Sequence, residues 1–370
     1  MVYRVIGLMS GSSLDGLDIA FVEFQENAGK WGYEIKAAAC YSYTEEWVNK
    51  LKNAISLNGM DYQLLHTEYG HYTGMQVNKF IEEKKLHYQV ALIASHGHTT
   101  FHVPAKKMTA QLGDGAAIAA VTQLPVVADL RALDVALGGQ GAPIVPIGEK
   151  LLLGGYDYFL NLGGIANVSH NADPSTGSGY IAFDVCPANR VLNMLVNEMG
   201  KEFDDDGKIA TKGQINLHLL EKLNSLDYYK QPYPKSLAND FGTDVVYPLI
   251  KDSGLKTEDA LRTYVEHIAV QIKNAITGLK NHKPQTTNHK LLATGGGAFN
   301  TFLVERIKDQ LKDLNIGVVV PSKELVKYKE SLIMAFIGIL RWRQEYNVFS
   351  SVTGAARDSI GGALWNGQDA

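Results

Sequence analysis

Three glycine-rich turns hold the residues best suited to chemistry: Gly11-Ser12-Ser13, Gly163-Gly164 and Gly295-Gly296-Gly297. Each follows an apolar run, and the third enters a helical pattern through Ala298, Phe299 and Asn300. Successive N–H groups in such turns form anion-binding nests, and a helix N-terminus adds its dipole. Any one of these turns alone reads as a plain hairpin or turn. Three in one chain shift the reading. Two of them occupy matching strand–turn–strand settings, "VIGLMSGSSLDGLDIAFVEF" and "YDYFLNLGGIANVSHN", which favours a phosphate held by two facing hairpins. The chain contains neither the G-x-x-x-x-G-K-[ST] nor the G-x-G-x-x-G phosphate-binding fingerprint, so another device must do this work. Asp15 lies just past the first turn, where a carboxylate either finishes the turn or orients Mg²⁺ through water.

Other reactive side chains fit simpler roles. "SHGHTTFH" contains His96, His98 and His102; the first two share a face if the segment is a strand, as a metal pair would require. No cysteine or acidic ligand completes a set, so the segment reads as a pocket wall ending at Pro104. "FDDDGKIA" has the look of a calcium loop, but counting from Asp204 puts Ile209 and Ile215 where glycine and glutamate are required. It reads as a solvated turn. Cys186 lacks a nearby histidine to lower its pKa and reads as a small buried filler.

These residues need a scaffold, and the hydrophobic pattern supplies one. The opening strand pair is followed by a third strand, "YEIKAAACYSY", and by helices in "TEEWVNKLKNAISL" and "DYQLLHTEYGHYTGMQVNKFIEEK". "YQVALIASHGHTTFH" and "LPVVADLR" read as buried strands, with a helix opened by Asp114 between them. A Gly/Pro-rich passage, "LGGQGAPIVPIGE", is expected to cross between domains. The strand–turn–strand pattern then restarts about 150 residues after its first appearance, which predicts a duplicated architecture. "GYIAFDVCPANRVLNMLVNEMG" runs from strand to helix. It is followed by the long helix "DALRTYVEHIAVQIKNAITGLK", the strand and turn "HKLLATGGGAFN", the strand "IGVVVPS" and the helix "KESLIMAFIGILRWRQE". "GGALW" is expected to return to the first domain.

Bulk properties agree. At 370 residues the chain is long for one core, so two domains are expected. A net charge of −4 with no basic stripe excludes the electrostatic footprint of a nucleic-acid binder. The two cysteines do not make a disulfide framework, no signal-peptide pattern is visible, and "SLIMAFIGILRW" is too short to span a bilayer. A cytoplasmic protein with neither membrane nor nucleic-acid partners is the expectation.

The arrangement resembles the sugar kinase, Hsp70 and actin superfamily. More closely, the chain is similar from end to end to the anhydro-N-acetylmuramic acid kinase family. The resemblance rests on "GLMSGSSLDGLDIA", "ASHGHTTFHVP", "QLGDGAAIA", "VVADLRALDVALGGQGAPIVP", "NLGGIANVS", "AFDVCPAN", "YPKSLANDFG" and "TGGGAFN" taken in order. It implies an α/β fold with two similar domains of the actin-like ATPase (ribonuclease H-like) type and an ATP cleft between them. Domain I would comprise residues 1–130 and 350–370, and domain II residues 131–349. The implied activity is ATP- and Mg²⁺-dependent phosphorylation of O6 of a small-molecule sugar, anhydro-N-acetylmuramic acid, while water opens its anhydro bridge. The family also suggests a homodimer.

By the same resemblance, Gly11, Ser12 and Ser13 match a first phosphate loop, and Gly163, Gly164 and Asn167 a second. Gly295, Gly296, Gly297 and Asn300 match the adenosine turn, and Asp184 the catalytic base. No direct protein ligand to the metal is implied. Without the resemblance, Asp184 would read as a helix cap. Arg131 suits a bidentate grip on the substrate's lactyl carboxylate, the alternative being a salt bridge with Asp129 or Asp134. Pro104 and Glu330 match substrate-pocket positions, although Glu330 also suits a helix start. Lys235 and Ser236 match the family's "PKS" segment, with a surface loop as the alternative. Two departures stand out. His98 replaces the usual Gln, and Val185, Cys186 and Ala188 replace Thr, Gly and Gly, which predicts an altered turn or a crowded substrate side.

Overall fold

The computed structural model describes residues 1–11, 13–171, 180–233, 235–238, 240–279 and 289–368, so Ser12 lies outside the described residues. The chain divides into two compact units, Met1–Leu153 with Tyr328–Ala370, and Gly154–Lys327.

In the first unit β1 (Val2–Ser10), β2 (Gly16–Asn27) and β3 (Lys30–Ser42) form an antiparallel meander. β4 (Leu92–Val103) lies parallel to β1, and β6 (Val126–Ala128) parallel to β4. β5 (Met108–Leu112) hairpins onto the end of β4. The strand Ala363–Trp365 pairs antiparallel with β6, so the chain does return to this sheet. β1 is central, and its Val5, Ile6 and Leu8 are buried as a strand covered on both faces requires.

Helices cover this sheet: α1 (Glu45–Asn53), α2 (Gly59–Glu83) and α3 (Gly115–Thr122). Asn58 caps α2 by accepting from the Met60 and Asp61 amides, and Asp114 caps α3 through the Ala116 amide. Tyr69, Val77 and Phe80 of α2 pack with Ile6, Phe21, Ile93 and Ile118. The helix Lys323–Trp342 breaks its helical run at Tyr328, and its later residues pack on β1. Gly7 makes that contact possible, since a Cβ there would strike the Ser331 carbonyl and the Ala335 amide.

The short helices α4 (Ala132–Ala136) and α5 (Pro146–Leu152) also belong to this unit. The glycine-rich passage expected to cross between domains is thus folded within it. The buried Asp134 is the reason: its Oδ2 accepts from the Gly141 amide and its Oδ1 from the Thr353 hydroxyl, both at 2.7 Å.

The second unit has a sheet ordered β11-β10-β7-β8-β9. Its strands are β7 (Tyr158–Leu162), β8 (Ile165–Asn171), β9 (Tyr180–Pro187), β10 (His289–Thr294) and β11 (Ile316–Val319). β7, β8 and β9 are antiparallel, while β10 runs parallel to β7 and β11 parallel to β10. Strand order and sense repeat those of β6-β4-β1-β2-β3, so the duplication expected from the sequence is present. This mixed α/β arrangement is the ribonuclease H-like topology of actin-like ATPases. α6 (Asn189–Asn197) and the helix Thr257–Leu279 bury Val191, Leu195, Leu261, Val265, Ile268, Ile272 and Ile276 against this sheet at helical spacing. No helix among the described residues is long and apolar enough to cross a membrane.

Candidate active site

In the first unit, β1 delivers its chain directly into the first glycine turn. The Leu14 amide donates to the Gly11 carbonyl, and Leu14 adopts a left-handed φ of 60°. Ser13 and Asp15 are exposed; the Asp15 carboxylate makes no hydrogen bond or ion pair among the described residues. Beneath the turn runs a buried polar chain. Tyr43 and Tyr69 share a hydrogen bond at 2.5 Å, the Tyr43 hydroxyl donates to Ser10 Oγ at 2.8 Å, and Ser10 Oγ lies 3.0 Å from His98 Nδ1. Burial keeps the His98 imidazole below its ordinary pKa.

The second and third turns come together in the second unit. The Gly163 and Gly164 carbonyls accept from the Asn189 and Ala188 amides at the start of α6. The turn's own N–H groups donate to nothing among the described residues. Gly295 has φ +81°, and a Cβ there would meet Asn161 Oδ1 at 2.6 Å and the Leu162 carbonyl carbon at 2.8 Å. The turn therefore lies against the end of β7, a conformation and a proximity that only glycine permits. Asn189 ties the ensemble by donating through Nδ2 to the Leu162 carbonyl at 2.8 Å. Asn300 caps the helix Thr301–Leu311, its Oδ1 accepting from the Leu303 amide at 3.0 Å.

Beside the third turn opens a cavity of about 380 Å³, lined by Gly296, Gly297, Asn300, Leu192, Phe203 and Phe299 among others. Asp204, Asp205 and Asp206 also border it, which corrects the expectation of a merely solvated turn. Asp204 is buried because its two oxygens accept from the Ile209 and Ala210 amides at 2.8 and 2.9 Å.

Asp184 sits within β9, not at a helix cap. β9 carries an irregularity at this point: Cys186 pairs with Ala166 and Asp184 with Asn167, leaving Val185 as the extra residue. Such bulges re-aim a side chain. Asp184 and Asn167 are cross-strand partners, so the candidate base and a candidate phosphate-loop residue share one face. The loop 235–237 clamps Asp184 on several sides. Asp184 Oδ2 accepts from Ser236 Oγ at 3.0 Å and from the Leu237 amide at 2.9 Å. Its amide donates to the Lys235 carbonyl, and its carbonyl accepts from the Tyr228 hydroxyl at 2.6 Å. Oδ1 has no partner among the described residues.

Val185, Cys186 and Ala188, the residues that depart from the family pattern, are all buried in the core of the unit. Ala188 adopts φ −129° and ψ −102°, outside the regions that residues with a Cβ ordinarily populate. Burial pushes the Cys186 thiol well above its ordinary pKa, which fits a filler rather than a nucleophile. Burial likewise lowers the pKa of Lys235, whose ammonium sits over the Tyr228 ring.

Arg131, Pro104 and Glu330 all lie in the first unit. Arg131 makes no ion pair with Asp129 or Asp134 among the described residues; it donates to His96 Nε2 at 2.8 Å and to the Gly141 carbonyl. Burial lowers its pKa to about 10, while Glu330 and Asp134 support the cation, so it stays charged at neutral pH. Pro104 opens a short turn after β4, and Glu330 is exposed just beyond the break at Tyr328. Both ring nitrogens of His96 are engaged, and no cluster of three potential metal ligands occurs among the described residues. The roles of His96, Asn189 and Phe203 escaped sequence reasoning, because nothing local in "ASHGH", "PANRV" or "KEFDD" marks them.

The family profile described as anhydro-N-acetylmuramic acid kinase matches residues 3–367. The chain is 31% identical to the anhydro-N-acetylmuramic acid kinase of a Sulfurovum species, covering 98% of this chain and 99% of that relative. It is 32% identical to the enzyme of the same name from Photobacterium profundum, with 98% and 99% covered. Among solved structures, component A of the Acidaminococcus fermentans (R)-2-hydroxyglutaryl-CoA dehydratase superposes with a TM-score of 0.46 at 13% identity, covering 91% of this chain and 97% of that one.

Proposed function

Because the chain belongs to the anhydro-N-acetylmuramic acid kinase family, we propose that it phosphorylates O6 of 1,6-anhydro-N-acetylmuramic acid with ATP while water opens the anhydro bridge. The products are N-acetylmuramic acid 6-phosphate and ADP. Oδ1 of Asp184, which has no partner among the described residues, takes a proton from water as the water oxygen attacks the anomeric carbon. The bond from that carbon to the bridging O6 breaks, and O6 attacks the γ-phosphorus as the bond to the ADP oxygen breaks. Phosphoryl transfer asks the protein mainly for positioning and charge stabilisation.

The residues fit ATP. Unengaged N–H groups at Gly163 and Gly164 suit phosphate oxygens, with Asn167 on the face of the base and Gly11, Ser12 and Ser13 as the other phosphate loop. Gly296, Gly297 and Asn300 border a cavity with the apolar walls that an adenine ring requires, and Gly295 would shape the turn that holds them. Mg²⁺ carried by ATP would neutralise phosphate charge, and the exposed Asp15 is the carboxylate to orient it through water. Arg131 would hold the lactyl carboxylate, with Pro104 and Glu330 completing the sugar pocket.

The observation that carries this reading is the asymmetry of Asp184: one oxygen is fixed by two donors, and the other has no partner among the described residues. The test is ADP release with and without the anhydro sugar, run in ¹⁸O-labelled water. The sugar should stimulate ADP release and the product should carry ¹⁸O at its anomeric carbon. Asp184→Asn should lower kcat by about 10²–10⁴ while ATP still binds. No stimulation by the sugar would sink the substrate assignment, and a fully active Asn variant the base assignment.

A further inference from the structure

Arg131 is met from β4 by a histidine whose proton position the geometry fixes. Arg131 Nε–H donates to His96 Nε2 at 2.8 Å, and His96 Nδ1 lies 2.8 Å from the Gly97 carbonyl. A carbonyl only accepts, so Nδ1 carries the ring proton and Nε2 presents its lone pair. The β1–β4 pairing is irregular here: Ser95 pairs with Leu8 and His98 with Ser10, leaving His96 and Gly97 out of register. That irregularity turns His96 out of the strand's ordinary alternation. His96 is 3% exposed, and burial together with the Arg131 cation lowers its pKa to about 3. It is an uncharged acceptor throughout the physiological range.

On its other side the guanidinium gives an Nη1–H to the Gly141 carbonyl. Gly141 is itself immobilised by Asp134, whose second oxygen is occupied by Thr353. Two of the five guanidinium N–H donors are thus engaged from behind. Three remain, including both on Nη2, with no acceptor among the described residues.

We propose that His96 is a positioning residue for Arg131, a neutral acceptor that locks the Nε edge of the guanidinium so that its remaining donors are presented to the carboxylate of the sugar substrate. Neutrality is the essential property. An aspartate or glutamate at this place would orient Arg131 equally well, but it would neutralise the cation and compete with the incoming carboxylate. The imidazole orients without neutralising. The inference rests on the reading of Arg131 as the carboxylate-binding residue.

The test is steady-state kinetics with two sugars, anhydro-N-acetylmuramic acid and 1,6-anhydro-N-acetylglucosamine, which lacks the lactyl carboxylate. His96→Leu removes the acceptor and should raise KM for the acidic sugar by roughly tenfold or more, with kcat within about threefold. KM for the neutral sugar should not move. His96→Gln restores an uncharged acceptor and should keep KM for the acidic sugar within about threefold of wild type. His96→Glu keeps an acceptor but adds charge, so it should lose the acidic sugar selectively. This variant carries the test if the leucine variant does not fold. In an Arg131→Ala background the His96 substitutions should add nothing further. If wild type prefers the acidic sugar and both His96→Leu and His96→Glu retain that preference, the positioning role is overturned. If wild type itself does not distinguish the two sugars, the reading of Arg131 falls first.

Discussion

Ser236 Oγ stands 3.0 Å from Asp184 Oδ2, an oxygen that also accepts the Leu237 amide at 2.9 Å. Both donors hold the carboxylate in one orientation, and removing one should loosen it. Ser236→Ala, at an exposed position, should leave the fold intact and lower kcat by roughly tenfold. A variant that keeps the wild-type kcat would show that Ser236 does not hold the candidate base in place.

The third glycine turn should tolerate no side chain at Gly295. Its φ of +81° and the Cβ contacts to Asn161 and Leu162 leave neither the conformation nor the space. Strain of this kind is on the order of 1–3 kcal/mol. Gly295→Ala should weaken ATP binding, measured by calorimetry, by about fivefold or more. Gly155→Ala, where nothing lies within 4 Å of the added Cβ, should leave it unchanged.

The two repeated sheets were legible because burial imposes local patterns: apolar runs, glycine turns and the helical spacing of Leu261, Val265, Ile268 and Ile272. The glycine turns were legible for the same reason, as punctuation between such runs. What the sequence could not reveal were partnerships across distance. His96 and Arg131 are 35 residues apart and Ser236 and Asp184 are 52 apart, each pair joined by strand order and by an irregular register that no local signal announces. The passage from Leu137 to Glu149 misled for a related reason. Glycines and prolines there suggest a linker, whereas the buried carboxylate of Asp134 gathers them into a fixed loop.

His98 should be replaceable by any side chain that hydrogen-bonds with Ser10. The hydrogen bonds run from Tyr69 through Tyr43 and Ser10 and end on His98 Nδ1. His98→Gln supplies an amide that can pair with Ser10 as donor or acceptor and should change stability to denaturant by less than about 1 kcal/mol, with KM for ATP nearly unaltered. His98→Leu leaves the buried Ser10 hydroxyl without that partner and should cost about 1–3 kcal/mol. Equal behaviour of the two variants would mean that this chain of hydrogen bonds does not support the end of β1.

Acid should destabilise the protein through its buried neutral histidines, and His267 is the one to isolate. Its Nδ1 donates to Asn224 Oδ1 at 2.7 Å, its Nε2 accepts from the Tyr229 hydroxyl at 3.0 Å, and burial lowers its pKa from 6.5 to about 3. Between those two values the unfolded chain binds a proton that the folded chain refuses, so stability rises with pH across the window. The contribution is therefore complete above about pH 6.5 and is lost progressively as the pH falls toward 3. Well inside the window each such histidine steepens the dependence by about 1.4 kcal/mol per pH unit. His267→Gln keeps a polar group of similar reach but cannot titrate. It should lower stability at neutral pH through imperfect packing, yet show a shallower decline when unfolding is measured at pH 6, 5 and 4 in a single denaturant series. The slope separates the two effects, because lost packing shifts the curve without changing its gradient. A variant whose gradient equals that of wild type would mean that His267 accepts its proton in the folded state near the ordinary pKa, contrary to the hydrogen bonds that engage both of its nitrogens.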